Sequence, residues 1–177
     1  DQHRLDGVRL KAAAFTNLGR DHLDYHPTMD AYFDAKMRLF RALLPVGAPA
    51  VIYADDAWSA RARAVAEASG HPVLSVGAKG EALRLTALQR EGFAQILSLE
   101  TPRGARDVRL NLAGDFQAAN ALVAAGLAIA CGVDEARVLD AIPLLKGVPG
   151  RLEPIGTTQG ALALVDYAHK PEALAHA

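Results

Sequence analysis

The chain has 177 residues, the length of one domain or of one domain with a small appendage. Half of its residues are hydrophobic (51%) and 22% are charged, a balance typical of a globular protein that buries a core. The formal net charge of −1 provides no basic field for a nucleic-acid backbone, so the composition argues against nucleic-acid binding.

Cysteine usage and hydropathy favour a cytoplasmic protein. The only cysteine, Cys131, precludes a disulfide within the chain, as is usual in a reducing compartment. The longest apolar run, Ala121–Ala130, is far shorter than the roughly 20 residues that span a bilayer. No signal peptide opens the sequence, and we expect no membrane association. The chain does not begin with methionine and residues 171–177 resemble a helix start, so we expect both ends to be cuts through a longer protein.

Strands and helices alternate in the first part of the chain. A buried strand over Val8–Phe15 ends in a polar loop, and Thr28 is placed to cap a helix over Met29–Leu44. The further predicted elements are a strand over Ala50–Ala54, a helix capped by Asp55 or Asp56 and ended by Gly70, and a strand over Pro72–Val76. This alternation predicts an α/β layered domain with a mostly parallel sheet.

The pattern changes in the second part of the chain. Three short segments near residues 83–88, 93–99 and 107–112 are separated by turns and predict a small antiparallel side sheet. The elements predicted after it are a helix from Gly114 or Asp115 to Cys131, a helix capped by Asp134 that reaches Ile142, and a strand over Leu162–Val165.

A polar cluster, Asp21–His26, follows the first predicted strand. Two carboxylates and two imidazoles lie within six residues, at the end of a strand where parallel sheets bind ligands. Carboxylates favour a hard cation such as Mg²⁺. The residues alone leave two interpretations open, a metal site and a polar loop with capping roles.

Lys36 lies inside the apolar stripe of the helix predicted over Met29–Leu44. Tyr32, Phe33 and Phe40 stand three or four residues away, so they share its face. Lysines are seldom buried unless they are paired. Either the side chain extends along the stripe to water, or Lys36 is a functional lysine with a lowered pKa whose neutral amine can react with a small electrophile.

Two further segments carry hydrogen-bonding groups. Asn111–Asn120 surrounds the start of the alanine-rich helix, and Asp166–Pro171 follows the last predicted strand. The amide side chains of the first segment can contact a ligand, and a carboxylate at Asp166 suits a pair of ribose hydroxyls. A solvent-facing helix surface and a simple strand-to-helix turn remain the alternatives.

Four blocks together resemble the motifs of the Mur ligases, the ATP-dependent amide ligases of peptidoglycan precursor synthesis. The blocks follow the family's order and are Phe15–His26 with Lys36 downstream, Asn111–Phe116 with Asn120, Gly150–Glu153, and Asp166–His169. The resemblance implies a three-layer, Rossmann-like central domain. It would assign residues 1–156 to the central ATP-binding domain and residues 157–177 to the start of the carboxy-terminal ligase domain.

The resemblance also implies a role for individual residues. Lys36 would be a carbamylated lysine that acts in catalysis and, with His22, at a Mg²⁺ ion. Gln2 and Arg4 would contact the UDP-linked substrate. The implied ATP contacts are Asn120, Arg151, Asp166 and His169.

The family's reaction would be formation of an acyl phosphate from ATP and a carboxylate, followed by attack of an amine. The blocks at Asp1–Arg4 and Asp21–His26 are most similar to those of members that add a diamino acid, for which we expect meso-diaminopimelate, to UDP-N-acetylmuramoyl-L-alanyl-D-glutamate. The sequence holds no Gly-x-x-x-x-Gly-Lys-Ser/Thr phosphate loop. We therefore expect the isolated chain to be inactive.

Three alternatives remain at this stage. The first is another ligase of the Mur superfamily, which adds a different amino acid or extends folate with glutamate. The second is a metal-dependent hydrolase built on Asp21–His26, which leaves Lys36 and Asp166 without a role. The third is a non-catalytic binding fragment.

Overall fold

The computed structural model describes residues 7–19, 26–158 and 161–168. A six-stranded sheet runs through them in the order β1-β2-β3-β4-β5-β6, and a separate two-stranded sheet follows. The elements of the first part are β1 (Ala13–Phe15), α1 (Met29–Arg38), β2 (Ala50–Tyr53), α2 (Ser59–Ala68) and β3 (Val73–Gly77). β1, β2 and β3 pair in parallel, which confirms the predicted α/β fold class.

Helix α1 begins where the sequence predicts. The Thr28 side-chain oxygen accepts a hydrogen bond from the Ala31 amide at 3.1 Å, which is the capping contact expected of a threonine. After Arg38 the chain continues as a π-helical turn over Leu39–Leu43, closed by a bond from the Leu44 amide to the Leu39 carbonyl. The predicted helix over Met29–Leu44 is therefore confirmed in extent, with a wider last turn.

The capping residue predicted for α2 is wrong. Trp58 occupies the cap position, and the Asp56 carboxylate accepts a hydrogen bond from its amide at 2.9 Å. The first residue of the helix, Ser59, donates from its hydroxyl to the Tyr53 carbonyl, so α2 is tied directly to the end of β2. Asp55 instead contacts the loop after β3. Neither carboxylate caps α2, because a turn separates both residues from the helix. Asp56 binds within that turn, and Asp55 binds the loop after β3.

The antiparallel meander is confirmed, but it extends the main sheet. It consists of β4 (Leu83–Glu91), β5 (Ala94–Thr101) and β6 (Gly104–Leu110). β4 pairs in parallel with β3 over two residue pairs only, Val76 with Leu83 and Gly77 with Arg84. A five-residue loop can make this parallel connection because Gly80 has no side chain: a Cβ there would lie 2.6 Å from the Val76 Cα.

The last elements are α3 (Asp115–Ala130), α4 (Glu135–Ala141), β7 (Glu153–Thr158) and β8 (Ala161–Val165). α3 and α4 are confirmed, and the Asp134 carboxylate accepts bonds from the Ala136 and Arg137 amides as predicted. β8 is confirmed as well, whereas its antiparallel partner β7 was not predicted. The predicted domain boundary between residues 156 and 157 falls inside β7, and the division into domains stays a prediction.

Two hydrophobic cores lie on the two faces of the sheet. Ile52 belongs to the core with α1 and α2, and its neighbour Val51 belongs to the core with α3 and α4, because successive strand residues face opposite sides. α3 approaches the sheet closely at Gly126, where a Cβ would lie 2.9 Å from a Val51 methyl group. Within the described part of the chain, no helix has both the length and the apolarity to cross a bilayer.

Candidate functional site

Three polar loops meet at one edge of the sheet. β1, β2 and β3 are parallel, so their carboxyl ends lie at the same edge, where α/β sheets bind ligands. Asn17 follows β1, Asp55 and Asp56 follow β2, and Lys79 follows β3. This carboxyl edge is the first part of the candidate site.

Lys36 reaches this edge from α1. Its Nζ donates a hydrogen bond to the Asn17 carbonyl oxygen at 2.8 Å. The same atom lies 5.2 Å from the centroid of the Tyr32 ring and 5.9 Å from that of Phe15. The side chain is therefore held between aromatic rings and the end of β1, and it is only partly exposed.

Burial lowers the pKa of Lys36 below its ordinary value of 10.5, because desolvation disfavours the ammonium form. The charge of Asp56 acts in the opposite direction and is the smaller effect. This direction agrees with the interpretation of Lys36 as a functional lysine, and its role in catalysis stays a prediction. Asp56 was predicted only as a helix cap. Its place directly after a buried parallel strand was the signal that it could belong to the site.

Asp55 fixes the neighbouring loop. Its carboxylate accepts hydrogen bonds from the amides of Ala78 and Lys79, at 2.7 and 2.8 Å. Gly77 makes this contact possible, because a Cβ there would lie 2.6 Å from an Asp55 oxygen. Burial raises the pKa of Tyr53 to about 12, and the charge and hydrogen bond of Asp55 add to the effect. The loop after β3 is therefore rigidly joined to the end of β2.

The second part of the candidate site is the turn before β7. The Asp166 carboxylate accepts bonds from the Leu152 amide at 2.8 Å and the Ala168 amide at 2.6 Å. The Tyr167 amide donates to the Gly150 carbonyl, and the Arg151 guanidinium lies 5.9 Å from the Tyr167 ring centroid. Leu152 has φ 48°, a left-handed conformation that is unusual for a branched side chain. The structure thus brings Arg151 and Asp166 together.

The start of α3 lies beside this turn. Gly114 precedes the helix, and a Cβ on it would lie 2.8 Å from Leu152 Cδ1, so the two residues are packed closely. Asn120 lies on the second turn of α3 with an exposed side chain. Among the described residues, no hydrogen bond, ion pair or ring contact joins Lys36 to Arg151, Asp166 or Asn120, so the predicted residues lie in two groups.

Four predicted site residues lie outside the described residues: Gln2, Arg4, His22 and His169. Most of the predicted metal cluster, residues 21–25, is outside them as well. Among residues 7–19, 26–158 and 161–168, no group of three or more His, Cys, Asp or Glu side chains is arranged to hold a metal ion.

The three layers and the polar carboxyl edge define a ligand-binding domain of the open α/β class. A family model, Mur ligase middle domain, matches residues 1–128. The chain belongs to this family.

Relatives and solved structures agree with this assignment. The chain is 58% identical over 175 residues to the UDP-N-acetylmuramoyl-L-alanyl-D-glutamate–2,6-diaminopimelate ligase of Brucella melitensis biotype 1, with 98% of this chain and 36% of that protein covered. A solved structure of a ligase with the same name is 33% identical with a TM-score of 0.79, covering 97% of this chain and 35% of that one. MurF from Acinetobacter baumannii is 28% identical with a TM-score of 0.84, covering 96% and 36%.

The chain therefore spans about a third of the length of these relatives. The Mur ligase type of fold predicted from the sequence motifs is confirmed, with the six-stranded sheet and the small two-stranded sheet both present.

Proposed function

We propose that this chain serves as the middle domain of an ATP-dependent ligase that adds meso-diaminopimelate to UDP-N-acetylmuramoyl-L-alanyl-D-glutamate. The observation that carries the proposal is the 58% identity, over nearly the whole chain, to a ligase of that name. The half-buried Lys36 at the carboxyl edge supports it, because its environment suits the chemistry described next. The proposed compartment is the cytoplasm, which agrees with a single cysteine.

In this proposal Lys36 acts as a carbamate. The ammonium first loses one proton to give the neutral amine. The amine then adds CO₂, so that an N–C bond forms and a second proton leaves the nitrogen, and over both steps a cation becomes an anion. The lowered pKa supports this step, because it increases the neutral fraction of the amine at a given pH. The Asn17 carbonyl, which accepts a bond from Nζ, can keep the remaining N–H oriented.

Lys36 can bind Mg²⁺ only as the carbamate. A free amine is a poor ligand for a hard cation, whereas carbamate oxygens resemble the carboxylates that Mg²⁺ prefers. The Lys36 carbamate and His22 would hold the ion. When bound, Mg²⁺ spreads the negative charge of the transferring phosphoryl group.

The second group of residues would hold the nucleotide. Both Asp166 oxygens accept backbone amides, and each keeps a lone pair that can accept a ribose hydroxyl. Arg151, Asn120 and His169 would make further ATP contacts, and Gln2 and Arg4 would contact the UDP-linked precursor.

The proposed reaction has two steps. The γ-phosphoryl group of ATP passes to the D-glutamate carboxylate, giving ADP and an acyl phosphate. An amine of diaminopimelate then attacks the acyl carbon, the amide bond forms, and phosphate and a proton leave. Lys36 and its neighbours contribute positioning and charge, which dominate catalysis of phosphoryl transfer.

The test is phosphate release by the full-length protein with ATP and UDP-N-acetylmuramoyl-L-alanyl-D-glutamate. We expect release that depends on meso-diaminopimelate, and none with the 177-residue chain alone, because its sequence holds no phosphate loop. Equal release with L-lysine would change the proposed amino acid. Activity only with a folate and glutamate would contradict the proposal.

A further inference from the structure

Gln95 on β5 is a buried amide that contacts the start of α3. Its side chain is enclosed in the protein, with 2% of the residue exposed. Nε2 donates to two carbonyl oxygens, those of Leu112 at 2.7 Å and Gly114 at 3.0 Å. Because both partners are acceptors, the amide nitrogen must be the atom that faces them.

Gln95 provides the side-chain hydrogen bonds that the start of α3 receives from β5, and the cap residue itself contributes none. Gly114 caps the helix with φ 92°, and no side-chain hydrogen bond is made at that position. Its carbonyl also accepts the Gln117 amide at 2.9 Å, so one oxygen joins the first helical turn to β5. Gln95 therefore holds the loop through the loop's carbonyl oxygens. This differs from a capping serine or aspartate, whose oxygen would accept from the first helix amides.

The position of Gly114 in turn determines where the turn before β7 can lie. Leu152 packs against Gly114, where a Cβ would come within 2.8 Å of its side chain. The Leu152 amide is bound to the Asp166 carboxylate, and Arg151 is its immediate neighbour. A chain of direct contacts thus runs from Gln95 through Gly114 and Leu152 to Asp166.

We propose that Gln95 is a positioning residue for nucleotide binding: its two hydrogen bonds fix the Leu112–Gly114 loop, and against this loop packs the turn that contains Arg151 and is bonded to Asp166. The inference depends on the proposed function for the identity of the ligand, ATP. Gln95 itself is buried and acts through the loop.

Replacement of Gln95 by methionine separates positioning from folding. Gln95→Met keeps the length of the side chain and removes both donated bonds. It also removes Oε1, a buried oxygen that has no hydrogen-bond partner among the described groups. Loss of that unsatisfied oxygen offsets part of the cost of leaving two carbonyls unpaired. A second variant, Gln95→Glu, places a carboxylate against the same carbonyls and should have a stronger effect in the same direction.

The matched control is Arg90→Gln. Arg90 also contacts the start of α3, through a paired contact with Asp115 at 2.6 and 2.8 Å, but both side chains are largely exposed. Exposed ion pairs contribute little to structure. The control therefore removes a contact with the same helix start on its solvent side. It leaves the two buried hydrogen bonds of Gln95 intact.

The experiment measures steady-state kinetics and amide hydrogen exchange on the full-length protein. For Gln95→Met we expect the KM for ATP to rise roughly tenfold, about 1.4 kcal/mol, while the KM for the UDP-linked precursor changes by less than about twofold. Amides of residues 112–117 should exchange faster, and those of α4 should not. Arg90→Gln should leave the KM for ATP within about twofold of the wild-type value.

Two results would overturn the inference. The first is a KM for ATP that is unchanged in both Gln95 variants, whether or not amide hydrogen exchange in residues 112–117 becomes faster. The other is an equal rise in the KM of every substrate, which indicates general loosening. If the wild-type protein shows no ligation, the proposed function fails separately. The role of Gln95 is then decided by calorimetric titration with ATP, in which an equal affinity of wild type and Gln95→Met contradicts it.

Discussion

The two groups of candidate residues are held in place by different forces. Lys36 lies on a helix with a buried apolar face, and its ammonium group is held near the rings of Tyr32 and Phe15. Arg151 is exposed and Asp166 is partly exposed, and their turn is held by hydrogen bonds between a carboxylate and backbone amides. Burial changes the chemical character of a side chain, whereas hydrogen bonding fixes a geometry and leaves the side chains accessible to a ligand. Substitutions should separate these two effects.

The largest effect is expected for Lys36→Ala in the full-length protein. Loss of the anionic carbamate should lower kcat for ligation roughly 10³-fold, the scale seen when charge stabilisation is removed from a transition state. Added CO₂ should not restore activity, because alanine has no amine. A small carboxylic acid should restore part of it by occupying the anionic position.

The control for this prediction is Lys11→Ala, which removes an exposed lysine that precedes β1 and lies outside the candidate site. It should retain kcat within about twofold of wild type. Near-normal turnover by Lys36→Ala would remove the role assigned to Lys36.

A smaller effect is expected for Asp166→Ala. The carboxylate accepts two backbone hydrogen bonds, and loss of such bonds should destabilise the turn by about 1–3 kcal/mol. The amides of Leu152 and Ala168 should exchange faster with solvent, and the KM for ATP should rise. Asp166→Asn keeps one acceptor oxygen, so its amide exchange rates and its KM for ATP should lie between those of wild type and Asp166→Ala. Unchanged exchange at both amides would mean that the carboxylate does not hold the turn.

Signals within a few residues predicted the helices well. Thr28 and Asp134 cap helices as expected, because a cap needs only a side chain and an amide two or three positions later. The apolar stripe of α1 also indicated that Lys36 would be partly buried. The four motif blocks indicated the family, because each block concentrates its residues in a short stretch.

Contacts between distant segments could not be predicted in the same way. β7 contains Pro154 and Gly156, which weaken a strand pattern, and it forms because β8 supplies its partner across a register shift. Gln95 and Asp55 act on loops 17 or more residues away. Such contacts depend on how the sheet is assembled, and no local periodicity reports them. The same is true of the junction between β3 and β4, which joins the meander to the parallel strands.

The most direct test of the central claim is ¹³C NMR of the full-length protein with ¹³C-labelled CO₂. The account predicts one carbamate signal at neutral pH, absent from Lys36→Ala and retained in Lys11→Ala. Such an adduct requires a neutral amine. Burial favours this form, because it lowers the pKa of Lys36 below the ordinary lysine value of 10.5. Full ligase activity without a carbamate signal that depends on Lys36 would contradict the account.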